Sequence, residues 1–76
     1  MTWNYRVVRR PGDEPGTWLY SFHECYYDSK DDTEPSMLTV NPVVPEAESF
    51  EIFQRMVRQA MFRRPIDFET RKEIRE

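Results

Sequence analysis

The sequence predicts an α+β fold: a three-stranded antiparallel β-meander with one C-terminal α-helix packed on one face (β-β-β-α), and then a charged tail. Three observations predict it. Residues 18–28 hold five aromatics and no Gly or Pro. Residues Trp3 to Arg9 alternate, with Trp3, Tyr5 and Val7 on one side and Asn4, Arg6 and Val8 on the other. Phe50, Phe53, Val57, Ala60 and Met61 recur at helical spacing, with Met56 widening the stripe. Period two marks a half-buried strand and period 3.6 an amphipathic helix.

Taken in order, the first strand ends at a loop with two turn dipeptides, Pro11-Gly12 and Pro15-Gly16. Pro fixes φ and Gly permits positive φ, so this is a long hairpin connection. The central strand follows, with Trp18, Tyr20, Phe22, Glu24 and Tyr26 on one face. Leu19, Ser21, His23, Cys25 and Tyr27 lie on the other. The first set is bulkier and is placed toward the core, although Glu24 argues against this because a buried carboxylate needs a partner. Arg6 and Arg9 of the neighbouring strand are candidates.

The polar stretch 28–35 is a turn, and 36–41 a short third strand with Leu38 and Val40 on one face. Pro42-Val43-Val44-Pro45 cannot continue a ladder and reads as an extended crossover. Ser49 is a good N-cap, Glu51 complements the positive helix end, Arg63 and Arg64 suit the negative end, and Pro65 stops the helix. About thirteen residues of helix are marginal alone in water, so this one must pack on the sheet. Residues 1–68 are expected to form one small domain, with Ile66 and Phe68 tucked under the helix. Residues 69–76 are expected as a frayed helix capped by Asp67 or a disordered tail.

Composition narrows the function classes. The chain has 76 residues, 33% of them charged and 38% hydrophobic, which suits a small globular domain with a thin core. A net charge of −3 gives no overall field for nucleic acid or an acidic membrane. The single Cys excludes an internal disulfide and an all-Cys zinc site. No apolar run approaches the roughly 18 residues of a membrane span. The opening residues have no basic segment followed by an apolar one, as a signal peptide would. A cytoplasmic protein is expected.

Three segments together carry a resemblance. Trp3-Asn4-Tyr5-Arg6-Val7 comes first, then His23-Glu24 with Tyr26-Tyr27-Asp28. Asn41-Pro42, Pro45, Glu48-Ser49 and Pro65-Ile66-Asp67 complete it. Over residues 3–68 the chain resembles a family of small uncharacterised bacterial proteins, which implies a compact β-β-β-α domain without assigning an activity. Cys25, Phe22 and the charged tail depart from that pattern. The topology is also similar to HicB-like antitoxins, a likeness of fold that says little about function.

No chemistry-bearing constellation stands out. His23 and Glu24 are adjacent on a strand, so they point to opposite faces and cannot share a proton. His23 and Cys25 share a face, but stand about 6.5 Å apart at Cα, too far for a nucleophile pair without rearrangement. One His and one Cys would need carboxylates to complete a zinc site. Asp28, Asp31, Asp32 and Glu34 lack the spacing and glycine of a calcium loop. No catalytic residue, cofactor or metal site is therefore expected, and no small-molecule substrate is evident.

The expectation is instead a non-enzymatic protein–protein interaction module, plausible as a homodimer. Its candidate surface is Leu19, Ser21, His23, Cys25 and Tyr27 on the second sheet face, with Ile52, Arg55 and Arg58 on the outer helix side. There are more large rings than one short helix can cover. The alternative is an antitoxin-like or nucleic-acid-associated regulator using the helix arginines; the acidic net charge makes nucleic acid the weaker partner.

Overall fold

A computed structural model describes residues 2–75. It is α+β, with β1 (Thr2–Pro11), β2 (Trp18–Tyr27), β3 (Met37–Leu38), α1 (Phe50–Phe62) and β4 (Ile66–Asp67). The sheet has four strands in the order β3-β2-β1-β4. Met1 and Glu76, the outer residues of the expected domain and tail, lie outside the described residues.

The hairpin is the framework. β1 and β2 pair antiparallel over their whole lengths, from Thr2 opposite Tyr27 to Pro11 opposite Trp18. The loop between them closes when Gly12 N donates to Thr17 O at 2.9 Å and Thr17 Oγ1 donates to Glu14 O at 2.6 Å. Gly16 sits at φ 81°, a conformation that disfavours any residue with a Cβ.

The third strand is shorter than the 36–41 expected. Met37–Leu38 pairs with β2, and the chain then keeps to β2's edge through single bonds, Thr39 N to Glu24 O and Val43 N to Phe22 O. The ladder breaks because the Thr39 carbonyl and hydroxyl both turn toward His23. Pro42, with no N–H, cannot resume it.

β4 was not expected. Pro65 ends the helix as anticipated, but Ile66–Asp67 then pairs parallel to β1 at Val8 and Arg9, which makes the sheet mixed. Over the described residues 69–75 the structure shows an ordered return in place of the frayed helix or disordered tail expected of 69–76. Asp67 does cap, but caps a turn: its Oδ1 accepts from Glu69 N and Thr70 N, both at 3.0 Å. The chain reverses there, with Arg71 at φ 62°, and returns so that Glu73 bridges Ile66 and Ile74 N donates to Pro65 O.

The buried face is the opposite of the one expected. Val8, Cys25, Tyr27 and Ile66 form the core cluster, with Leu38 and Phe68 packed on it; Arg6 and His23 are buried beside them. The bulkier set Trp18, Tyr20, Phe22, Glu24 and Tyr26 stays exposed or half-buried. The cause is what covers each face. Ile66 and Phe68 close the smaller-residue face together with Leu38. Polar bonds from Arg6 and His23 to distant backbone make its burial possible.

The helix holds only part of what it was expected to cover. Ser49 caps it, its Oγ accepting from Ile52 N at 3.2 Å. It packs on β1, but Ala60 is its only buried residue. Ile66 and Phe68 belong to the opposite, core face rather than lying under the helix. No helix among the described residues is long and apolar enough to cross a membrane.

Candidate interaction surface

The residues first singled out on β2 divide. His23 and Cys25 are fully buried and Tyr27 nearly so, Ser21 is half-buried, and only Leu19 is exposed. His23, Cys25 and Tyr27 are therefore withdrawn from the candidate surface; the returning segment after Pro65 covers the face they occupy. Ile52, Arg55 and Arg58 are exposed on α1, as expected.

The hydrogen bonds that His23 and Arg6 do make argue for architecture. His23 Nδ1 lies 2.9 Å from the Thr39 carbonyl, so that nitrogen carries the proton, and Ser21 Oγ donates to Nε2 at 3.0 Å. Burial lowers the His23 pKa below 6.5; the Thr39 hydrogen bond opposes this and the Arg10 charge adds to it. A hydroxyl bonded to a neutral imidazole is also the arrangement of a nucleophile and its base. Here the ring is enclosed, with Phe68 5.9 Å away centroid to centroid, so it has no approach for a substrate. The Cys25 thiol is pushed up to about 11 by burial, with the Arg6 charge opposing, so it is protonated at neutral pH and unreactive.

Arg6 is held through both terminal nitrogens, while its buried Nε has no hydrogen-bond partner among the described residues. Its Nη1 donates to Tyr27 Oη and Thr33 O, both at 3.0 Å, and its Nη2 to Arg64 O at 2.7 Å and Glu73 Oε2 at 3.1 Å. Tyr27 Oη in turn donates to Asn4 Oδ1 at 2.8 Å. Four chain segments meet at one guanidinium. Among the described residues no three His, Cys, Asp or Glu side chains come together as a metal cluster.

Several large apolar side chains are also left open. Trp3 is 53% exposed, Tyr20 58%, Phe50 69% and Met61 62%. On the exposed sheet face Val7 stands opposite Phe22 and Arg9 opposite Tyr20. Two recesses flank the helix where it meets this region. One, of about 610 Å³, has Trp3, Tyr5, Met56 and Phe62 as its apolar wall, with Arg58 and Arg63 at its rim. Trp3 and Tyr5 meet edge to face, their centroids 5.3 Å apart. The other, of about 360 Å³, lies between Met61 and Pro65 on one side and Val7, Tyr20 and Phe22 on the other.

The surface is thus displaced from the one expected to its opposite face. Phe50 and Met61, counted at first as core stripe, belong to it. The signal for this was present: the helical stripe and the larger rings together exceed what thirteen residues of helix bury. At roughly 200 Å² per large side chain, Trp3, Tyr20, Phe50 and Met61 together leave on the order of 500 Å² in water, divided between the two recesses and the start of α1.

Comparison of the chain with protein families, with curated proteins and with solved structures finds no match.

Proposed function

We propose that this chain is a non-enzymatic protein–protein interaction module that docks through the apolar surface between β1, β2 and α1. The observation that carries the reading is the exposure of Tyr20 and Met61 at one recess, with Phe50 exposed on the same side of α1 at its other end. The enclosed His23 and Cys25 support the non-enzymatic part, because the nucleophiles on the central strand have no substrate access. A buried, protonated thiol also suits a reducing, cytoplasmic setting.

A photo-crosslinking residue in place of Tyr20 tests the reading, with Val40 as control because it is 74% exposed elsewhere on the fold. A discrete crosslink at position 20 and none at 40, to a second copy or to another protein, supports the module. No crosslink at position 20 in concentrated protein and in lysate overturns it.

The second reading, a nucleic-acid-associated regulator, draws on Arg58 and Arg63 beside the Trp3–Tyr5 pair in the larger recess. Guanidinium groups next to exposed rings are the elements of single-strand binding. It requires binding to single-stranded DNA or RNA that weakens steeply with salt. No binding at low salt removes it.

A further inference from the structure

The interaction reading leaves the partner open; the inference here rests on that reading and names the partner. Along α1, Phe50, Gln54, Val57 and Met61 follow at spacings of four, three and four residues. This is the seam period of paired helices. Phe50, Gln54 and Met61 are exposed and Val57 is half-buried, while Ala60 faces the chain's own sheet. The seam is on offer rather than used.

Charge along the helix is segregated. Glu46, Glu48 and Glu51 stand at its N-terminal end, and Arg55, Arg58, Arg63 and Arg64 in its C-terminal half and just beyond. Glu51 and Arg58 are one heptad apart and occupy the same flank of the seam. A second copy laid antiparallel brings each Glu51 to the other's Arg58 and opposes the two helix dipoles, whereas a parallel copy sets like charges together.

The recess completes the fit. Met61, at one end of the seam, borders the cavity of about 360 Å³ walled by Val7, Tyr20, Phe22 and Pro65. In antiparallel register the second copy's Phe50 stands opposite Met61, at the mouth of that cavity, and Arg63 at its rim is near the second copy's Glu48. Every contact occurs twice, so the arrangement closes as a two-fold pair. The exposed parts of Phe50, Met61 and Tyr20, at roughly 200 Å² per side chain, come to about 400 Å², close to half of the roughly 800 Å² per partner that a stable interface buries.

We propose that the occupant of this surface is a second copy of the chain, held by antiparallel pairing of α1. Phe50 of each copy is seated in the other's recess, and Glu51 lies against Arg58 across the axis.

Sedimentation equilibrium across the micromolar range tests it, with far-UV circular dichroism confirming that each variant is folded. The unaltered chain is expected to dimerise. Phe50→Glu, at an exposed position, should raise the dissociation constant at least about 30-fold. Glu51→Arg and Arg58→Glu should each raise it about 3- to 10-fold, because each breaks both symmetry-related pairs. The double reversal should return it to within about threefold of the original. A chain that stays monomeric, a dimer indifferent to Phe50→Glu, or a double reversal no better than the single ones overturns the inference. A monomer whose position 20 still crosslinks to another protein overturns it while leaving the interaction reading in place.

Discussion

Arg6 Nη2 lies 3.1 Å from Glu73 Oε2, joining the first strand to the returning tail in an ion pair whose guanidinium is 1% exposed and whose carboxylate is 13% exposed. Breaking one side of a buried pair costs more than the pair contributes, because the remaining charge is left without its partner. Glu73→Ala should therefore lower stability by about 2–4 kcal/mol. Glu73→Gln, which keeps an acceptor, should lower it by about half as much. Urea unfolding of both variants checks the order; equal losses would show that charge alone matters.

The buried imidazole sets a pH dependence. His23 is held below its ordinary 6.5 in the folded chain by burial, so below that pH the unfolded chain takes up the proton first. Stability from this group is complete above 6.5 and falls as the pH drops toward the lowered folded value. Unfolding measured between neutral pH and the carboxylate range should show this slope. His23→Gln should flatten it, even though that variant is less stable throughout.

Cys25 reports on the cover over the core. In the intact chain its thiol should react sluggishly with a disulfide reagent at neutral pH and fully in denaturant. A chain ending at Thr70 loses the bridge from Glu73 to Ile66 and the bond from Ile74 to Pro65. There the reaction should run at least about tenfold faster, through local opening. An unchanged rate would mean that the segment after Thr70 is not what excludes the reagent.

Ile66, on the unexpected strand, is fully buried. Ile66→Ala should cost about 2–4 kcal/mol, whereas Phe62→Ala, at a side chain 90% exposed, should cost under about 0.5 kcal/mol. Thermal unfolding of the pair distinguishes core from surface.

The legible part of the fold was the part with local periodicity. β1, β2 and α1 each repeat a pattern long enough to read, and Ser49 and Pro65 mark the helix ends. β4 is two residues long and has no period, and the residues beyond it look like solvated charge. Bulk was the wrong guide to the buried face of β2. Trp18 and Tyr20 are large but have little to cover them; Arg9 lies over the Trp18 ring at 3.9 Å as its partial shelter. Arg6 and His23 are buried because Thr33, Thr39, Arg64 and Glu73 supply partners, and strand alternation carries no trace of partners so distant. The candidate surface was legible as an excess of apolar area, and its position depended on that face assignment.

The parallel pairing of Val8 with Ile66 also has a kinetic meaning. Two strands joined by a single loop meet early, but parallel neighbours far apart in sequence wait for the chain between them to be ordered. The β1–β2 ribbon is thus expected to form early with one flank of β1 bare. Closure by β4 then comes late, after most of the entropy of the intervening chain has been given up. Moving that pairing close in sequence, by a circular permutation that joins the ends and opens the 12–17 loop, should reverse the order of events and leave the finished fold unchanged.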